Sequence, residues 1–396
     1  VIAATWPLAV AVVRTGLPTA IGQLVYSPSR RTMYVTTVSD QRILQIQDFF
    51  GAASLTTLAG AGEFSGDTDG VATDARFNTP KGLAPVAFYN RTTKQRRYFA
   101  GLLVTQYGSV CKLRFVDLRP VVPTVRSVAG TSSSCSSYSF TAGTGVAASL
   151  AQVYSVAEYE YEKSFLITNK HCILKAESAT GFTSSSWELT ISLFAGLCSS
   201  GGGNGDGHFD AADFNEPRGI SVVRDSKGAP SIVFVFQLAG RLRKIASAEP
   251  SSSREVTTAY VSTSDYAWMS QSFYNPFTRM IYTTDSVTIA RASFTSNYSW
   301  VTIDVSEVGD RTATGVTMIP NGTIYATGNN ALVAFASDSG FPAPQATNSP
   351  SASRSVLTSR SASTSLSASW SFSAPAPHSA SLSLTTLASL SASKST

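Results

Sequence analysis

Charge is scarce in this chain: Asp, Glu, Lys and Arg make up 14% of its 396 residues, while Ser and Thr account for about a quarter. That imbalance suits an extracellular protein better than a cytosolic enzyme. The net charge of +5 is small, and the residues from Phe341 onward hold no acid but Arg354, Arg360 and Lys394, so the part before them is close to neutral. A nucleic-acid footprint needs basic residues gathered on one folded face, and none is readable, so nucleic acid is not expected as a partner. No apolar run reaches the length of about 20 residues that a membrane helix needs. The nearest, Val1 to Val13, contains Thr5, Trp6 and Pro7. Because the chain opens on Val1 rather than Met, an anchor or leader peptide is left room outside it, and tethering to a membrane through such a segment stays open. Histidine is nearly absent, with only His171, His208 and His378, and neither of the first two has neighbours at metal-ligand spacing. His-Glu-x-x-His, Gly-x-Ser-x-Gly and P-loop motifs are missing, so no catalytic residue is expected from motif alone.

What the chain does contain is internal repetition. The segment opening on Asp69-Gly70 and running through Phe77-Asn78-Thr-Pro80-Lys-Gly82 aligns without a gap on the one opening on Asp206-Gly207 and running through Phe214-Asn215-Glu-Pro217-Arg-Gly219. Each is preceded by a β-rich stretch ending in Ala-Gly, at Ala59-Gly60 and Ala195-Gly196, and Ala129-Gly130 marks a third, degenerate copy. A strand-like run follows in every unit: Met33 to Thr36, Leu102 to Thr105, Phe165 to Thr168, Phe234 to Gln237, Met280 to Thr283 and Ile324 to Thr327. These six runs recur at intervals of 43 to 69 residues, which suits a four-stranded unit with loop insertions. Each is followed by a further apolar-polar alternation, as in Arg42 to Ile46 and Arg241 to Ile245, the period of a half-buried strand.

These motifs resemble the NHL-repeat β-propellers, whose repeat runs through Phe-Asn-x-Pro-x-Gly-Ile-Ala, a Tyr-Val-x-Asp strand, an Arg-Ile-Arg strand and a strand ending in Ala-Gly. The likeness is specific at residues 58–84 and 194–245 and only strand-deep in the last two units. Thr36, Thr105 and Thr168 stand where that family often has Ala-Asp, so family ligands do not carry over there. The resemblance implies an all-β, six-bladed propeller over residues 1–341. The last unit, from Gly315 to Ser337, offers only three strands, and Leu8 to Gly16 stands before the first unit as a spare strand. Pairing that strand with Asn330 to Ala336 closes the ring and covers both edges; the alternative for Val1 to Val13 is a leftover signal-peptide core. Residues 342–396, rich in Ser-x-Ser with scattered Pro, are expected to be a disordered stalk or linker. They resemble tails of surface proteins in kinetoplastid flagellates.

The four cysteines repeat with the units. Cys111 aligns with Cys172 at the start of a third strand, and Cys135 and Cys198 each follow the Ala-Gly that ends a fourth. In an antiparallel hairpin the start of one strand lies opposite the end of the next, so Cys111 is expected to pair with Cys135 and Cys172 with Cys198, which places the chain outside the reducing cytosol. The Asp-Gly loops do not fit an EF-hand register; only the second retains several oxygen donors, Asn204, Asp206, Asp210 and Asp213, as a weak calcium candidate. No other cofactor is indicated. Gly70 and Gly207 are expected to permit positive φ, with Asp69 and Asp206 bonding nearby backbone amides. Sequons at Asn90, Asn297 and Asn321 permit N-glycosylation. The expected function is a non-catalytic extracellular or cell-surface module presenting a protein or glycan ligand on one propeller face. The alternative is a propeller enzyme, lactonase/hydrolase- or lyase-like, with its site at the mouth of the central channel.

Overall fold

The computed structural model describes residues 10–335 apart from short internal segments, of which 262–270 and 305–313 are the longest. The tail at 342–396 and the sequons' Asn297 and Asn321 lie outside the described residues, and the side chain of Asn90 does too. The described chain is almost wholly strand, in six antiparallel sheets of four or five strands. The six runs read from the sequence are the second strands of these sheets, for example Thr32–Thr37, Ser164–Asn169 and Ile324–Gly328.

The burial pattern explains the architecture. Thr32–Thr37 and Ser164–Asn169 are buried at every residue, the third strand Arg42–Gln47 alternates, and the fourth, Ser54–Ala59, is largely exposed until its end. A sheet sandwiched between neighbours on both faces needs apolar residues or satisfied Thr throughout its inner strands, and burial falls away with distance from the middle. The first strands, Ile21–Ser27, Pro80–Asn90, Val153–Glu160, Pro217–Arg224, Gln271–Asn275 and Gly315–Met318, touch one another in succession, and the last returns to the first. They surround a central channel, and the fold is a β-propeller. Val10–Thr15 pairs antiparallel with Ala331–Phe335, from Val10 opposite Phe335 to Thr15 opposite Ala331.

Threonine joins successive sheets. Thr36 Oγ1 accepts from Gln23 N (2.8 Å) and donates to Lys81 O on the next sheet (2.8 Å); Thr105 does the same with Gly82 N (2.7 Å) and Tyr154 O (3.1 Å). Gly82 is required here, because a Cβ would stand 2.6 Å from Thr105 Oγ1 and 2.7 Å from Tyr154 O.

The aligned repeats fold into matching clusters. Arg114 and Arg243, on third strands, are fully buried; each lies over the motif phenylalanine, Phe77 at 5.3 Å and Phe214 at 5.2 Å, and each pairs with the motif aspartate, Asp69 at 2.7 Å and Asp206 at 2.8 Å. Asp69 also accepts from Ser127 N (2.9 Å) and Asp206 from Thr258 Oγ1 (2.8 Å), so these carboxylates reach across to an outer strand. Gly207 has the expected positive φ of 142°, whereas Gly70 is not among the positive-φ residues, its short strand being extended. Asn78 clasps Ser109 through both ends of its amide, and Pro80 and Pro217 open the first strands of their sheets. Arg243 also donates to Asp213 O, Gly205 O and Gln237 Oε1. Arg243→Leu strips these acceptors of their donor, and chemical denaturation should show a loss of about 3 kcal/mol. An unchanged midpoint would mean that the loop satisfies them otherwise.

Both expected disulfides are present, Cys111–Cys135 and Cys172–Cys198, and among the described residues no cysteine is left over. They are compatible with an extracellular or secreted protein. With sequence separations of 24 and 26 residues, each should stabilise by about 3 kcal/mol on the chain-entropy account. The Cys172→Ala/Cys198→Ala pair of changes is therefore expected to lower the melting temperature by several degrees without altering the circular dichroism spectrum. No helix among the described residues is long and apolar enough to cross a membrane.

Candidate functional site

The first strand of each sheet has one edge unpaired, facing the channel, and its backbone groups need partners. Two glutamines supply them. Gln23 Oε1 accepts from Leu83 N (2.9 Å) while its Nε2 donates to Ser155 Oγ (2.7 Å). Gln271 Oε1 accepts from both Leu24 N (2.9 Å) and Val316 N (3.0 Å), and its Nε2 donates to Leu24 O (2.8 Å). Ser221 Oγ donates to Ser272 Oγ at 2.8 Å. Together they form a polar belt linking all six first strands.

Beyond this belt, toward the end where the first strands finish, lies a cavity of about 260 Å³ to which all six strands contribute. It has room for a small ligand or several waters. Its lining holds one carboxylate, Glu158, and one guanidinium, Arg224, 3.9 Å apart and both largely buried. Arg224 is held rigidly: it donates to Glu158 O (2.8 Å) and Tyr159 O (2.7 Å), and its guanidinium lies 3.9 Å from the centre of the Tyr161 ring. Tyr274 also lines the cavity, and burial raises its phenol above the usual value, against a smaller opposing effect of Arg279. The phenol is thus a retained proton donor at neutral pH, and the same cavity lining supplies a carboxylate and a fixed positive charge.

The residues singled out from sequence lie elsewhere. His171 is buried in a turn with its ring where a Gly202 Cβ would fall, and burial, then Lys170, lowers its proton affinity. His208 Nδ1 is 2.5 Å from Asp210 Oδ1 on an exposed loop. The four calcium candidates are not gathered: Asn204 accepts from Gln237, Asp206 from Arg243, Asp210 faces His208, and Asp213 packs beside Gly203. With Asn204, Asp206 and Asp210 each turned to a different protein partner the four do not converge on a cation, and no group of three His, Cys, Asp or Glu suited to a metal occurs among the described residues. Gln23, Glu158, Arg224 and Gln271 were not picked out from the sequence. They are single residues on separate strands, and no local motif flags them.

No family model and no curated protein matches this chain. Solved structures do, all at low identity. A gluconolactonase from Xanthomonas campestris is 9% identical, with 82% of this chain and 88% of that one covered, at a TM-score of 0.51. A luciferin-regenerating enzyme is 6% identical over 84% and 96%, at 0.53. A calcium-binding protein, regucalcin, from Agrobacterium tumefaciens is 10% identical over 83% and 93%, at 0.50. At such identity the likeness establishes the fold, and the chain is a β-propeller. The expectation of a non-catalytic binding module is corrected by the same finding, because the similar propellers with these scores are mostly named as enzymes. Low charge and the lack of motifs do not argue against a site spread over six strands, which needs neither.

Proposed function

We propose that this propeller is an enzyme of the lactonase or hydrolase type, with its active site in the axial cavity at the channel mouth. The observation that carries the reading is the placement of Glu158 3.9 Å from a fixed Arg224 in a cavity shared by all six first strands. Glu158 takes the proton of an attacking water, Arg224 offers positive charge to the oxyanion that develops on a substrate carbonyl, and the Tyr274 hydroxyl gives a proton to the departing alkoxide. The same reading takes the fold as an NHL-type six-bladed ring closed by the N-terminal strand, supported by the six sheets and the pairing of Val10–Thr15 with Ala331–Phe335, and takes the propeller as 1–341, residues 342–396 as a disordered stalk and the setting as extracellular. Incubation with a panel of aliphatic lactones and aryl esters, followed with a pH indicator, tests the activity. Turnover that is lost on changing Glu158 supports the assignment, and a panel with no substrate turned over would sink it.

A further inference from the structure

At the opposite end of the channel, where the first strands begin, a second cluster has no part in the chemistry above. Lys81, Tyr154 and Arg218 each occupy the second position of their first strands, on three successive sheets. The Lys81 Nζ lies 5.0 Å from the centre of the Tyr107 ring and 5.1 Å from that of Tyr154, and these rings are 4.5 Å apart. Tyr154 Oη donates to Tyr107 Oη at 2.9 Å. Arg218 also lies over the Tyr154 ring, 4.9 Å from its centre, and pairs with Glu216 at 2.8 Å; Lys170 shares Glu216 at 2.8 Å. No ion pair among the described residues engages Lys81, in contrast to Lys112, Lys163, Lys170 and Lys175. Burial, then the nearby Arg218, pulls its amine down to about 8.

An amine about 5 Å from the centres of two aromatic rings whose hydroxyls bond each other, with no carboxylate partner among the described residues, is arranged as a nucleophile rather than as a structural cation. We propose that Lys81 captures a small carbonyl compound bearing a carboxylate, of the 2-oxo acid class, as an imine. The neutral amine's lone pair forms the C–N bond while the carbonyl π pair moves to oxygen, which takes a proton. The resulting carbinolamine then loses its hydroxyl, protonated, as water, and the nitrogen gives up its remaining proton as the C=N bond forms. The net change is amine plus carbonyl to imine plus water, with no redox partner. Tyr107, whose oxygen accepts from Tyr154, keeps its own proton to protonate the departing hydroxyl. The Arg218 charge that disfavours a protonated Lys81 favours an anionic group on the captured molecule.

Cyanoborohydride trapping of the full chain with glyoxylate, read by intact mass and peptide mapping, tests this site independently of lactone turnover. The expected result is one reduced adduct, located on Lys81, absent in both Lys81→Arg and Lys81→Met. Its yield should rise as pH passes through about 8, since only the neutral amine attacks. Acetaldehyde, which lacks the carboxylate, should label Lys81 more slowly than glyoxylate, and Arg218→Met should erase that preference. Label spread over surface lysines with no excess at Lys81 would overturn the proposal, as would equal labelling by the two aldehydes in the unmodified protein.

Discussion

Glu158→Gln is expected to lower kcat/KM for a hydrolysed lactone by about two to four orders of magnitude, the usual contribution of a positioned general base. The amide keeps the shape of the carboxylate and retains an oxygen toward Arg224, 3.9 Å away, but it no longer accepts a proton from water. The loss should therefore fall on kcat, with KM little changed, because substrate binding does not require the base. Tyr274→Phe should cost less, since solvent at the channel mouth can protonate the leaving oxygen. With the phenol raised by burial, any alkaline decline due to Tyr274 should begin above the ordinary tyrosine range. Steady-state kinetics with thermal unfolding of each variant decides the matter: a Glu158→Gln protein with undiminished kcat and an unchanged melting curve removes Glu158 from the mechanism.

The contrast between what the sequence reveals and what it hides has a physical origin. Phe77 and Phe214 recur at the same place in two sheets because each must support a buried arginine on the third strand, and such local demands leave a repeating trace. The cysteine pairing was legible for the same reason: both pairs close the same hairpin in successive units. Arg114 and Arg243 were overlooked, although the alignment already placed a basic alternating strand at residues 241–245. The channel follows the opposite logic. Gln23 serves Leu83 and Ser155 on the next two sheets, and Gln271 serves Val316 and Leu24 on the two sheets that follow its own, but only these two first strands use a glutamine for the task, so the repeat is too sparse to read. Glu158 and Arg224 lie 66 positions apart and meet only because successive first strands end at the same level. A site assembled once, from all repeats together, is the part of a propeller that alignment of the repeats with one another cannot show.

Removal of residues 1–16 is expected to abolish cooperative unfolding, the largest stability effect foreseen for this chain. Val10–Thr15 is the only strand of its sheet drawn from the start of the chain, and it forms the outer edge in the order Val10–Thr15, Ala331–Phe335, Ile324–Gly328, Gly315–Met318. Without it, Ala331–Phe335, buried at four of its five residues, would expose an unpaired edge and apolar surface. The packing of Val13 against the core that includes Leu17, Tyr325 and Leu332 would go as well. Burying a Val, Leu or Ile side chain contributes about 1.5–3 kcal/mol, so a few such losses together with five residue pairings rival the whole stability of about 5–15 kcal/mol. A subtler variant separates closure from general truncation. Ala11→Pro keeps the chain length but cannot donate to the ladder opposite Ala334, and should cost about 3 kcal/mol. If the truncated protein melted at the same temperature and with the same sharpness as the full chain, the ring would have to close without its first strand, and the pairing of Val10 with Phe335 would have no part in holding the propeller together.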